Sequence, residues 1–138
     1  MTDLRLQGLA KRYGRVTALD GVDLEVGAGE FFCLLGPSAA GKTTTLRAAA
    51  GLERLDAGRV LFAGRDITDA PVQGRGMAMV FQSFALYPHL TVRENLAYPL
   101  REARVASGEI ERRVAEIAEM LRVTHTLGRK PTTASGGE

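Results

Sequence analysis

The sequence predicts an α/β fold, and three observations carry that prediction. Residues 31–35 and 77–81 are continuous apolar runs of the kind found in strands buried on both faces of a parallel sheet. The first 26 residues alternate apolar and polar side chains, the period of half-buried strands. From residue 91 onward the apolar spacing becomes that of helices.

Taken in order, Leu4, Leu6 and Leu9 mark a first strand that ends near Tyr13-Gly14. Val16, Ala18, Val22, Leu24 and Val26 mark a second, closed by Gly27 and Gly29. The run 31–35 follows as a buried strand, with Cys33 inside it as a small buried hydrophobe rather than a reactive thiol. Residues 41–50 are rich in Ala, Leu and Thr and stop at Gly51, which predicts a helix with a glycine terminus. A short strand is expected over 59–63, then a turn-rich stretch to Gly76 and a buried strand over 77–81.

In the second half, Thr91-Val92-Arg93-Glu94 has the form of a capping box, and Pro99 should end or kink the helix it opens within a turn or two. A further helix is expected over 108–123, burying Ile110, Val114, Ile117, Ala118 and Leu121, with Glu109 and Arg113 paired one turn apart on the other face. Residues 128–137 are turn-rich.

The chain has 138 residues, enough for one core. Its 18 Lys and Arg against 16 acidic residues leave a net charge of +2, so no basic stripe suggests a nucleic-acid partner. There is no basic start followed by an apolar stretch, and no apolar run long enough to span a bilayer, so a cytosolic chain is expected, with any membrane role supplied by a partner. A single cysteine allows no internal disulfide. His89 and His125 lack companion ligands and argue for no metal site.

The chemistry concentrates at Gly36-Pro37-Ser38-Ala39-Ala40-Gly41-Lys42-Thr43, a glycine, four residues, then Gly-Lys-Thr, lying between a predicted strand and a predicted helix. Amides at a helix start have no intrahelical acceptor and converge on an anion, and glycine lets backbone wrap phosphates closely. Lys42 can follow the β- and γ-phosphates, while the Thr43 hydroxyl can ligate Mg²⁺. Such a loop alone leaves kinases, GTPases and ATPases open. The usual guanine-reading Asn-Lys-x-Asp is absent, since Asn95 is the only asparagine and Leu96 follows it.

Along almost its whole length the sequence resembles the ATP-binding subunits of ABC transporters. Three stretches carry the resemblance: 36–44 (GPSAAGKTT), 79–95 (MVFQSFALYPHLTVREN), and 135–138 (SGGE), similar to the family's signature motif. The middle stretch is closest to importers of the maltose and glycerol-phosphate type. ABC proteins of DNA repair carry a long coiled coil where about fifty residues stand here.

The resemblance implies a phosphate-loop NTPase core over 1–82 with an antiparallel N-terminal β subdomain, a helical subdomain over 83–134, and the start of the signature over 135–138. It implies ATP and Mg²⁺ as ligands, bound by residues 36–44 including Thr44. Tyr13 resembles the aromatic that stacks on adenine, and Gln82 the glutamine that joins the subdomains and senses Mg²⁺ and the attacking water. Ser135, Gly136 and Gly137 would cap the γ-phosphate held by a second, head-to-tail subunit. Residues 84–90 resemble the surface that receives a helix of the membrane permease. A solute-binding protein would be an indirect partner, and the cytoplasmic face of the membrane the location.

The implied function is ATP-driven dimer closure that powers solute import, of carbohydrate or glycerol phosphate. A soluble regulatory module without a permease and the remnant of a truncated gene are the alternatives. Ala39 stands where these importers mostly have glycine, at a cost of about 1 kcal/mol if its φ is positive. Ala134 and Glu138 replace the usual leucine and glutamine of the signature. The Mg²⁺-orienting aspartate, the water-activating glutamate and the switch histidine fall outside the sequence. The chain alone is therefore expected to bind ATP rather than hydrolyse it efficiently, and to fold poorly at an unpaired sheet edge.

Overall fold

The computed structural model of the chain describes residues 2–81 and 85–133. The chain divides into two compact units, Met1–Met79 and Val80–Glu138.

In the first unit, β1 (Thr2–Tyr13) and β2 (Val16–Gly27) form the expected antiparallel hairpin. β3 (Ala57–Phe62) pairs antiparallel with the other edge of β1, and the two-residue β4 (Arg65–Asp66) follows, for a sheet order β2-β1-β3-β4. The alternation along β1 changes phase at Gly8, where the register shifts and φ is 56°. The Gly8 amide leaves the ladder and donates to Asp23 Oδ1 at 2.7 Å. This bulge lets Leu6 and Leu9, three apart in sequence, face the same core.

Helix α1 (Lys42–Ala50) packs Ala48 and Ala49 against that sheet face, in a core with Leu6, Leu9, Leu19, Val60 and Ile67. It stops at Gly51 as expected. The Gly51 amide bonds Ala48 O at 3.1 Å and the Leu52 amide bonds Arg47 O at 2.8 Å, the paired bonds of a Schellman motif.

Arg75, nearly fully buried, staples the C-terminal end of α1 to the loop beyond β4. Its Nη1 donates to Ala48 O and Ala49 O at 3.3 and 2.9 Å, its Nε to Ala70 O at 3.0 Å, and its Nη2 to Thr68 O at 2.7 Å. A cation at a helix C-terminus is favoured by the dipole as well as by the bonds.

Two expectations fail. Residues 31–35 and 77–81 are not strands, and among the described residues no strand pairs with either. Phe31 is 96% exposed and Val80 87% exposed, and Cys33 is exposed rather than buried. A parallel strand exists only through neighbours that take its backbone bonds on both sides, and the described strands all belong to the antiparallel sheet. An apolar run records an affinity for burial; it does not supply the partners.

The second unit is helical. α2 (Val92–Glu102) begins at the expected capping box: the Thr91 hydroxyl accepts from the Glu94 amide, and Glu94 Oε2 accepts from the Thr91 amide at 2.7 Å. The free amides of Val92 and Arg93 are taken by Arg129 O and Leu127 O at 2.9 and 3.0 Å. The helix ends three residues after Pro99.

α3 (Ser107–Met120) buries Ile110, Val114 and Ala118 with Ala97 and Leu127. The Glu109–Arg113 pair forms at 2.6 Å. Leu121, expected on the buried face, is exposed because the helix stops at Met120 and the chain turns away.

Candidate nucleotide site

The loop 36–41 bridges the extended segment after β2 and the start of α1. Gly41, the residue before the helix, has φ 82° and ψ 1°, and no side chain caps the helix. A Cβ at Gly41 would lie 2.5 Å from Ala18 O and 3.0 Å from Leu19 Cδ2, so only glycine lets the helix start this close to β2. The first intrahelical bond runs from the Thr45 amide to Gly41 O at 2.8 Å. The amides of Lys42, Thr43 and Thr44 therefore precede the helix's own bonding and face outward from its positive end.

Lys42 Nζ turns back over the loop and donates to Gly36 O at 2.7 Å and Pro37 O at 2.6 Å. The charge is thus held across the loop by its own carbonyls. Ala39, at the tip, has φ 64°, in the left-handed region that an alanine adopts at a cost.

Tyr13, Ala18, Ala39, Lys42, Thr43 and Thr44 border an open concavity of about 280 Å³, so the structure brings Tyr13 and the loop to one place. Tyr13 is half exposed. Its phenol is held above its ordinary pKa, chiefly because the Glu53 carboxylate accepts its hydroxyl proton.

Thr43 is exposed beside the loop with its oxygen directed to no side chain of the described residues. Among those residues no cluster of three His, Cys, Asp or Glu side chains forms a metal cage. One hard hydroxyl oxygen beside a phosphate loop fits Mg²⁺ carried in by a polyphosphate, since that ion keeps several waters and takes few protein ligands. Gln82, Phe84, Ser135, Gly136 and Gly137 lie outside the described residues.

In the second unit, Leu86, Tyr87 and Tyr98 are exposed together, with the two tyrosine rings 4.6 Å apart. Asn95 shapes this surface. Its Oδ1 accepts from the Tyr87 amide at 2.8 Å, and its Nδ2 lies within 3.3 Å of the carbonyls of Tyr87, Leu90 and Thr91. Sequence reasoning assigned no role to Asn95, Arg75 or Glu53. The first two bond backbone carbonyls, which leave no mark on residue type, and Glu53 belongs to no motif.

Together, the strand-side approach of Gly41, the loop and the helix start define a protein of the phosphate-loop class. The chain belongs to the ABC transporter family, whose model matches residues 19–138. It is 48% identical over its whole length to an sn-glycerol-3-phosphate import ATP-binding protein, UgpC 2, of Rhizobium johnstonii, covering 40% of that protein. It is 47% identical to the trehalose/maltose import ATP-binding protein MalK of Thermococcus litoralis, covering 39% of it. It is 48% identical to the spermidine/putrescine import ATP-binding protein PotA of Rubrobacter xylanophilus, with 98% of this chain and 36% of that protein covered.

The chain thus spans about two fifths of the length of these relatives. Among solved structures it is similar to a dimeric ATP-binding cassette in a post-hydrolysis state bound to ADP and Pi. That match has a TM-score of 0.84 at 28% identity, covering 96% of this chain and 63% of the other. The α/β phosphate-loop fold of the ABC type, with an antiparallel N-terminal sheet, is therefore the fold of this chain.

Proposed function

We propose that this chain is the nucleotide-binding part of the ATP-binding subunit of an ABC importer. The observation that carries the proposal is the loop 36–43, with Lys42 drawn across it and Gly41 seated against β2. In this reading the loop amides and Lys42 hold the β- and γ-phosphates, and Tyr13 stacks on adenine. Thr43 supplies an oxygen to Mg²⁺, and Gln82 senses that ion and the attacking water. When bound, Mg²⁺ neutralises charge on the phosphates during phosphoryl transfer.

Ser135, Gly136 and Gly137 would complete the site of a second subunit in a head-to-tail dimer. ATP then joins the two subunits, and its hydrolysis separates them and resets a permease at the cytoplasmic face of the membrane. The exposed surface of Leu86, Tyr87 and Tyr98 offers an apolar contact for that permease. Among the described residues no helix is long and apolar enough to cross a membrane, so in this reading the membrane path belongs to the permease.

Carbohydrate or glycerol phosphate is the favoured solute class, in keeping with relatives named for glycerol phosphate, α-glucoside, lactose and trehalose/maltose. A relative named for polyamine import matches at the same 48% identity, and in this reading solute choice belongs to the permease and its solute-binding protein.

The test is calorimetric titration of Mg-ATP into the chain and a Lys42→Ala variant. Micromolar binding that is lost in the variant is expected. A folded chain that takes up no Mg-ATP overturns the reading.

A further inference from the structure

Glu53 lies three residues beyond the end of α1, and its carboxylate gathers two cations although it belongs to no recognised motif. Lys11 Nζ sits 3.2 Å from Oε1 and Arg47 Nε 3.9 Å from Oε2. The Glu53 carboxylate also holds the Tyr13 phenol above its ordinary pKa. Glu53 and Lys11 are largely sheltered, with side chains 16% and 13% exposed. In such a setting an ion pair is screened less than on open surface. Lys11 is fixed further by Arg54 O at 2.6 Å, and its ammonium stands 5.3 Å from the centroid of the Tyr13 ring.

These contacts act on one object, the plane of the Tyr13 ring. A tyrosine has two side-chain torsions, and an exposed one samples several orientations. Here the Lys11 ammonium, held by Glu53 and by Arg54 O, stands against the ring at the distance of a cation–π contact. We propose that Glu53 is a positioning residue for nucleotide binding. Without touching the ligand, it holds Lys11 against the Tyr13 ring, so that the base meets an aromatic face already oriented when the phosphates enter the loop. The benefit is preorganisation, which lowers the entropy lost when a base stacks.

The inference rests on the nucleotide reading, and the test separates the two. Mg-ATP and Mg-tripolyphosphate, which lacks a base, are titrated into the chain and its Glu53→Ala, Glu53→Gln and Tyr13→Phe variants. Base stacking on an aromatic ring is typically worth ~1–3 kcal/mol, so partial loss of orientation in Glu53→Ala should weaken Mg-ATP about 5- to 10-fold.

Tyr13→Phe, which keeps the ring and its contact with Lys11, should leave Mg-ATP affinity within about twofold. Glu53→Gln retains an acceptor for the Lys11 ammonium and should recover most of the affinity. Tripolyphosphate binding should stay within about twofold throughout, because the phosphate loop is untouched. Equal weakening of both ligands, or Mg-ATP affinity unchanged in Glu53→Ala, overturns the positioning role and leaves the nucleotide reading standing. Failure of the parent chain to bind either ligand removes the nucleotide reading, and this inference with it.

Discussion

Replacing Gly41 by alanine separates two effects at the loop's most crowded point. The first is backbone strain: an L-residue in the left-handed region costs about 1–2 kcal/mol, offset by about 0.4–1 kcal/mol of lost freedom in the unfolded chain. The second is space. The new methyl would sit 2.5 Å from Ala18 O and 3.0 Å from Leu19 Cδ2, where ordinary contact begins near 3.4 Å, so α1 and β2 must part by close to an ångström. Overfilling a packed site typically costs about 1–3 kcal/mol, giving a total of roughly 2–4 kcal/mol.

Gly29 is the control. Its φ of 71° is similar, but a Cβ there would meet nothing within 4 Å, so Gly29→Ala carries only the strain, roughly 0.5–1 kcal/mol net. Amide hydrogen exchange in β1 and β3 reads the opening free energy of the first unit for both variants. Gly41→Ala should lose about 1–3 kcal/mol more than Gly29→Ala, and should also bind Mg-ATP more weakly. Equal losses in the two variants would refute the claim that Gly41 is required by its approach to β2.

At the loop's tip the same logic runs in reverse. Ala39→Gly relieves a φ of 64° and should stabilise the first unit by up to about 1 kcal/mol, measured by the same exchange experiment. Arg75→Met removes a buried cation from four carbonyls and should cost about 3–5 kcal/mol, with Arg75→Lys intermediate because a single nitrogen cannot span all of them. The Glu109 carboxyl is held down to about 2, first by the Arg112 hydrogen bonds and then by Arg113. Because its folded pKa is depressed, its support of α3 is complete above the ordinary value of 4.5 and is lost as the pH falls toward 2. Carbon-detected NMR should place its midpoint near 2 in the parent and back near 4.5 when Arg112 and Arg113 are both alanine.

What could be read beforehand was what local chemistry dictates. The alternation of β1 and β2, the stop at Gly51, the capping box at Thr91 and Glu94, and the Glu109–Arg113 pair each involve neighbours within one turn or one hairpin. The loop 36–43 was legible because its spacing is itself the mechanism. The strands expected over 31–35 and 77–81 failed because their partners had to come from elsewhere. Arg75 and Asn95 were missed for the converse reason. Each is chosen by backbone carbonyls whose positions exist only after folding. Ala39 lay between these cases: the sequence raised the question of its φ, and the structure answered it.

The sheet order β2-β1-β3-β4 also has a consequence for the chain as it is made. β1 and β2 are contiguous, while β3 begins at Ala57, some thirty residues beyond the end of β2. A hairpin pairs in about 1–10 μs, whereas a ribosome adds about 5–20 residues per second. For a few seconds the nascent hairpin therefore waits with the far edge of β1 unsatisfied, and two-stranded hairpins are only marginally stable by themselves. The phosphate loop and α1 are synthesised within that interval, before β3 takes the open edge and Asp56 bonds back to Ala10 and Arg12. During those seconds the same edge is a template for any other strand that reaches it, which makes the gap between residues 27 and 57 the time at which this protein is most exposed to misassembly.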